Sequence, residues 1–206
     1  EAPVLRFGET WVAVSQVDAL FALGPRITRK QVEDFFAVLE LVFEERDPAL
    51  DLPPDERWMA SVRGKGRPFS ETLVQGLGDT LCLLAIQGEA ICGRSLGIDL
   101  QARADRFVRH LLTDLNREQW LSRRTLLRTL AEASPSAFLD ALEAELARPE
   151  PAIEAIMGTI SGGVSRECLR AELLWALEML ARDPAHVRRV AEILQDLDRR
   201  FDSEDN

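Results

Sequence analysis

The chain has 206 residues, 46% of them apolar and 29% charged, with 35 acids against 25 bases and a formal charge of −10. This is the balance of an ordinary globular chain, long enough to bury a core without disulfides or metals. The acid excess disfavours nucleic acid, because phosphate binding calls for a basic face, and no run of about 18 uncharged apolar residues offers a membrane span.

Trp11, Val14, Val17, Leu20 and Phe21 predict a first short helix closed by Gly24-Pro25. Thr28 with Gln31 makes a capping box, in which hydroxyl and amide each reach a backbone N–H that the helix start leaves unpaired. Behind it Val32, Phe35, Phe36, Leu39, Val42 and Phe43 draw one apolar stripe along a helix of about four turns. Residues 46–69 lose the period. Asp47-Pro48, Pro53-Pro54, Gly64 and Gly66 punctuate them, at most one helical turn is expected after Pro54, and a loop of this length is usually functional or mobile.

Ser70 caps a helix carrying Leu73, Leu77, Leu81, Leu84 and Ala85, with Gly88 as the expected stop. After an irregular stretch at 88–98, Leu100, Ala104, Phe107, Val108, Leu111 and Leu112 mark another helix. Asn116 with Gln119 opens the next, whose apolar face includes Trp120, Leu126, Leu127 and Leu130. Ser134-Pro135 and Asp183-Pro184 then each follow an apolar helix and open a new one. In both, a capping side chain precedes a proline at the first helical position, where its missing N–H costs nothing. Superposing the two prolines places Leu130 on Met179, Phe138 on Val187, Ala141 on Val190 and Leu142 on Ala191. A helix–turn–helix unit recurring at this period predicts HEAT-like stacking. A short helix around 152–160 and the Gly162-Gly163 break separate the units, no strand pattern competes, and the polar tail from Arg199 to Asn206 is expected to fray.

The expected fold is therefore all-α, with stacked helix–turn–helix units in a HEAT-like or irregular solenoid or bundle. It reads as one domain over 1–206 with two sub-units, 1–98 and 99–198. The chain starts Glu1-Ala2-Pro3 without an initiator Met or signal peptide, which reads as a segment of something longer. Cys82, Cys92 and Cys168 lie in apolar helical surroundings without metal-site spacing. That is the pattern of buried, reduced thiols in a cytoplasmic protein, with Cys92 left open by its neighbours Gly93 and Arg94.

Chemistry-bearing motifs are sparse. His110, with Asp114 one helical turn on, and His186 have no second ligand at metal spacing, so neither a metal nor another cofactor is expected. Ser161 and Ser165 flank Gly162-Gly163 without a nucleophile elbow. Glu71, Gln75 and Asp79 share a helix face, where an acid is more often solvated or paired than catalytic. Arg123, Arg124 and Arg128 form a basic cluster after Trp120 that reads as a solvated face.

The most suggestive polar motif is Arg63-Gly64-Lys65-Gly66-Arg67, three cations spaced by glycines that would let backbone N–H groups approach an anion, without the pattern of a Walker A loop. With Arg57-Trp58 upstream, it also has the composition of a protein contact, since Trp and Arg are common anchors.

Two stretches carry a family resemblance: Asp47 to Trp58 running on to Ser70-Glu71-Thr72-Leu73, and Arg124-Thr125-Leu126-Leu127 to Phe138-Leu139, echoed by Leu173-Leu174-Trp175-Ala176-Leu177 before Asp183-Pro184. Together they resemble the helical region of large bacterial multidomain proteins, some of which look like NTPase or defence proteins. The resemblance implies a helical module attached to an effector domain and carries over no active-site residue.

The leading expectation is a non-enzymatic scaffold that binds a protein, or another domain of its own chain, through Arg57, Trp58, Arg63, Lys65 and Arg67. The alternative is an enzyme or ligand domain that holds a phosphorylated molecule on the 63–67 cations, with Glu71 or Asp79 as acid/base. Nucleic-acid binding through the Arg123–Arg128 face ranks third.

Overall fold

The computed structural model describes residues 4–92, 96–162 and 165–201. Nine α-helices dominate these residues, and the all-α expectation holds. They are α1 (Gln16–Leu23), α2 (Arg29–Phe43), α3 (Glu71–Cys92), α4 (Leu100–Leu112), α5 (Arg117–Arg123), α6 (Leu127–Ala133), α7 (Pro135–Leu146), α8 (Ala171–Ala181) and α9 (Val187–Phe201). Two antiparallel hairpins accompany them, β1 (Val4–Phe7) with β2 (Thr10–Ala13) and β3 (Thr159–Gly162) with β4 (Ser165–Cys168).

The caps at Ser15, Thr28, Asp99 and Asn116 set helix starts, each side chain accepting a hydrogen bond from a backbone N–H in the first turn. Thr28–Gln31 and Asn116–Gln119 both close as full capping boxes.

The packing has a simple order. α3 lies against α4, α6 against α7 and α8 against α9, giving three helical hairpins. Between hairpins, α3 packs on α6 and α6 on α8 in one layer, and α4 packs on α7 and α7 on α9 in the other. α2 covers α4, where Phe36 and Phe43 meet Phe107 at ring-centroid distances of 5.9 and 6.0 Å. One continuous apolar core runs from Val32 to Leu197 between the layers, so the two expected sub-units share their interior.

Several local expectations are corrected. Trp11 belongs to β2 and Val14 precedes α1, which begins only after its cap at Ser15. Gly88 does not stop α3. The helix runs on to Cys92, and a side chain at Gly88 would collide with Leu100, so the glycine is there to let α4 approach. Residues 152–160 form a 3-10 turn at Ala152–Ile156 followed by β3, not a helix, while Gly163 lies outside the described residues.

The two proline-opened units superpose in order but not in burial. α9 starts at Val187, three positions beyond Pro184, and both Val187 and Ala191 are exposed where Phe138 and Leu142 are buried. As an outer helix α9 has one face to bury, and it uses Val190, Ile193 and Leu197. Ser134 does not cap α7; its hydroxyl donates to Asp105 Oδ1 at 2.6 Å, tying the α6–α7 turn to α4. Arg199 to Phe201 complete the last turn of α9, and the rest of the expected tail lies outside the described residues.

Candidate functional site

The segment between α2 and α3 is a built loop. Two 3-10 turns, Pro48–Asp51 and Pro54–Met59, replace the single expected one. Asp47 caps the first by accepting from Ala49 N–H at 3.0 Å. Arg67 donates to Asp47 Oδ2 at 2.9 Å and to the Ser122 carbonyl at 2.7 Å, and Ser122 Oγ accepts from Asp47 N–H at 3.1 Å. These contacts clamp both ends of the loop to α5. Lys65 Nζ bridges to Asp51 Oδ2 at 2.7 Å, Arg63 lies 3.3 Å from Glu56 Oε2, and Arg57 Nε donates to the Leu52 carbonyl at 3.2 Å. On the other side of Asp51, Arg46 binds Oδ1 at 2.7 Å. The two cations hold the Asp51 carboxyl below its usual range, the Lys65 hydrogen bond contributing most.

The structure thus brings Arg57, Arg63, Lys65 and Arg67 together as internal braces. Two backbone N–H groups of the Gly-spaced stretch are also used within the loop. Gly64 sits at φ 70°, where a Cβ is strained, and its N–H donates to the Ser61 carbonyl while that of Lys65 donates to Ala60. The loop's cations and these donors are consumed in making its shape. Among the side chains it exposes are two large apolar ones, Trp58 at 61% and Val62 at 85%.

The other expected features fall elsewhere. His110 Nε2 meets Glu44 Oε1 of α2 at 2.8 Å, not Asp114, which lies beyond the end of α4 at φ 53°. Arg123, Arg124 and Arg128 do not share a face. Arg123 is buried and donates to the Leu111 carbonyl, Arg124 sits on a 3-10 turn, and exposed Arg128 on α6 lies 5.8 Å over the Trp175 ring of α8. Glu71 is exposed at the start of α3, and Asp79 accepts from Gln75 Nε2 at 2.6 Å. Among the described residues, no three His, Cys, Asp or Glu are placed to hold a metal.

Cys82 and Cys92 are buried, but Cys168, in β4 and not in a helix, is exposed. Burial, with the charges of Glu132 and Asp79, pushes the Cys82 thiol up to about 12. Its ordinary value is 9.0, so the folded state keeps the proton that the unfolded chain releases. The Cys82 contribution to stability is whole below pH 9.0 and declines as pH rises from there toward 12. At pH 8 a thiol reagent should therefore modify Cys168 rapidly in the native protein, and Cys82 and Cys92 only after denaturation. Rapid labelling of all three without denaturant, read by mass, would contradict this burial.

Sequence reasoning missed a second feature, a hollow of about 530 Å³ across the outer face of α3, α6 and α8. Cys82, Leu83, Ile86, Thr129 and Met179 line it, Ile86 being 61% exposed, and the half-exposed Trp175 ring lies under Arg128, one of its lining residues. Its charged groups are Asp79, Glu132, Glu172 and Arg128. The signal was present in α3, where Gln75, Asp79, Cys82, Leu83 and Ile86 recur at helical spacing on a face separate from the core stripe. Another hollow, about 720 Å³, lies beside the turn at 149–159 and contains Arg117, Arg170 and Arg200. Arg117 is paired with Glu154 at 2.8 Å and Arg200 donates to the Arg148 carbonyl.

Comparison with protein-family models, curated proteins and solved structures finds no significant match to this chain.

Proposed function

We propose that this chain is a non-enzymatic helical scaffold, a HEAT-like module of a larger bacterial protein, that binds another protein or another domain of its own chain through the braced loop between α2 and α3. The observation that carries this reading is the exposure of Trp58 and Val62 on a loop whose cations are engaged in ion pairs and hydrogen bonds within the protein. An exposed Trp on a rigid support loses little entropy on binding and desolvates a large apolar surface, the usual profile of an interface anchor. Arg57, Arg63, Lys65 and Arg67 act in this reading by presenting Trp58. The three paired hairpins and their two layers give the extended platform on which such a contact sits.

A phosphorylated ligand at residues 63–67 would first have to displace Asp47, Asp51 and Glu56 from the cations it needs. The scaffold reading requires no such displacement.

Replacing Trp58 with Ala should abolish capture of a specific protein from lysate and leave the circular dichroism melt unchanged, since the ring is mostly outside the core. Arg57→Ala, which unties the Leu52 carbonyl, should weaken the same capture less. Capture of the same protein, undiminished, by both variants would overturn the site assignment.

A further inference from the structure

We propose that the groove across α3, α6 and α8 binds a basic amphipathic helix presented by another protein. This rests on reading the chain as a protein-binding scaffold, but it concerns a different face from the loop that carries Trp58.

The first argument is uncompensated charge. Several acids elsewhere on the surface are met by arginine: Arg189 reaches Asp140 and Glu143 at 2.7 Å each, Arg103 reaches Glu40, and Arg46 reaches both Asp51 and Glu118. In the groove, Asp79, Glu132 and Glu172 form no ion pair among the described residues. Its single cation, Arg128, is turned onto the Trp175 ring. The field of two of these acids reaches the groove floor, where Glu132 and Asp79 help to hold the Cys82 proton. A cationic partner is the complement.

The second argument is apolar surface. Ile86 and Trp175 stand half or more exposed beside partly buried Leu83 and Met179, so the acids surround groups that gain by leaving water.

The shape of the occupant follows from the walls. All three are helices whose backbone groups are bonded internally, so no free strand edge exists for an extended peptide to pair with. Recognition must run through side chains, as it does when a helix lays an i, i+3, i+4 and i+7 apolar stripe into a groove. A second copy of this chain does not fit, because its two most arginine-rich helices, α9 and α4, have Arg188, Arg189, Arg199, Arg103 and Arg109 already paired and their apolar stripes buried. The charge of −10 on each copy adds repulsion.

The probe is a fluorescent helical peptide with a leucine face and a lysine face, compared by anisotropy with the same peptide carrying glutamate for lysine. The lysine peptide should bind and weaken with added salt, and the glutamate peptide should not bind. The double variant Glu132→Gln/Glu172→Gln should weaken binding by about tenfold. A control of equal charge, Asp55→Asn/Glu150→Gln, distant from the groove, should not, which separates the groove from general attraction to an acidic protein. Trp175→Ala supplies the apolar arm, and the two exposed or half-exposed carboxylates supply a variant that spares the fold. Equal loss in both double variants, or no loss in either, would overturn the proposal. Trp58→Ala should leave peptide binding intact, so failure at the groove and failure at the loop are read separately.

Discussion

Replacing Glu145 with Ala should lower stability by roughly 3 kcal/mol, a fall in Tm of about 10 °C for a chain of this size. Glu145 is buried at the end of α7, and both its oxygens are in use. Oε1 accepts from the Ile153 N–H at 3.1 Å and Oε2 from Arg148 Nη1 at 3.0 Å. The carboxylate thereby fastens the 3-10 turn at Ala152–Ile156 to α7, and that turn in turn packs on α5. Truncation strands the N–H of Ile153, a residue with no exposed surface, and leaves Arg148 without its closest partner while opening a void. Glu145→Gln keeps an acceptor for Ile153 and should recover about half of the loss. Thermal melts of the two variants check the prediction; an unchanged Tm for Glu145→Ala would show that water replaces the carboxylate.

The second large effect is expected at Arg123, where the physics pulls both ways. Burial opposes the guanidinium charge and lowers its pKa, with Glu44 partly offsetting this. An apolar replacement of similar volume gains by removing a desolvated charge. Against that, Arg123 Nη1 serves the carbonyl of Leu111 in the last turn of α4, where no intrahelical donor remains and a cation suits the helix dipole. Leu111 is fully buried, so losing the donor costs the desolvation of that carbonyl. The carbonyl term should win. Arg123→Met, which keeps the volume, should lose about 2 kcal/mol, and Arg123→Ala about 4 kcal/mol once the cavity is added. Urea unfolding at constant m-value is the measurement, and a Met variant as stable as the parent would place the larger cost in burying the charge.

These residues mark where the sequence is legible and where it is not. The stripes from Val32 to Phe43 and from Leu100 to Leu112 were readable because a helix repeats its core contacts every 3.6 residues, and both stripes lie in the core. The capping boxes at Thr28 and Asn116 were readable because the groups that satisfy them are three positions apart. Arg123 read as a solvated base because its partner, the Leu111 carbonyl, belongs to another helix and carries no residue-specific mark. Glu145 gave no signal for the same reason.

Hairpins β1–β2 and β3–β4 were lost because four-residue strands are too short for alternation to stand out. In the loop, residue identities singled out Arg57, Trp58, Arg63, Lys65 and Arg67. Only the coordinates show that the cations face Asp47, Asp51, Glu56 and backbone carbonyls, because those pairings depend on the path of the chain between its prolines. The groove was half legible: Asp79 had been singled out, but Arg128, Glu132, Glu172 and Trp175 join it only once three hairpins are laid side by side.

The layering has a mechanical corollary. α6–α7 is the only hairpin that packs broadly on both of the other two, since α3 and α4 have no comparable seam with α8 and α9 among the described residues. Coupling between the two outer helical hairpins then runs chiefly through this keystone, as in a row of dominoes with a middle tile. A ligand that touched one outer hairpin alone would be felt at the other chiefly by way of α6 and α7.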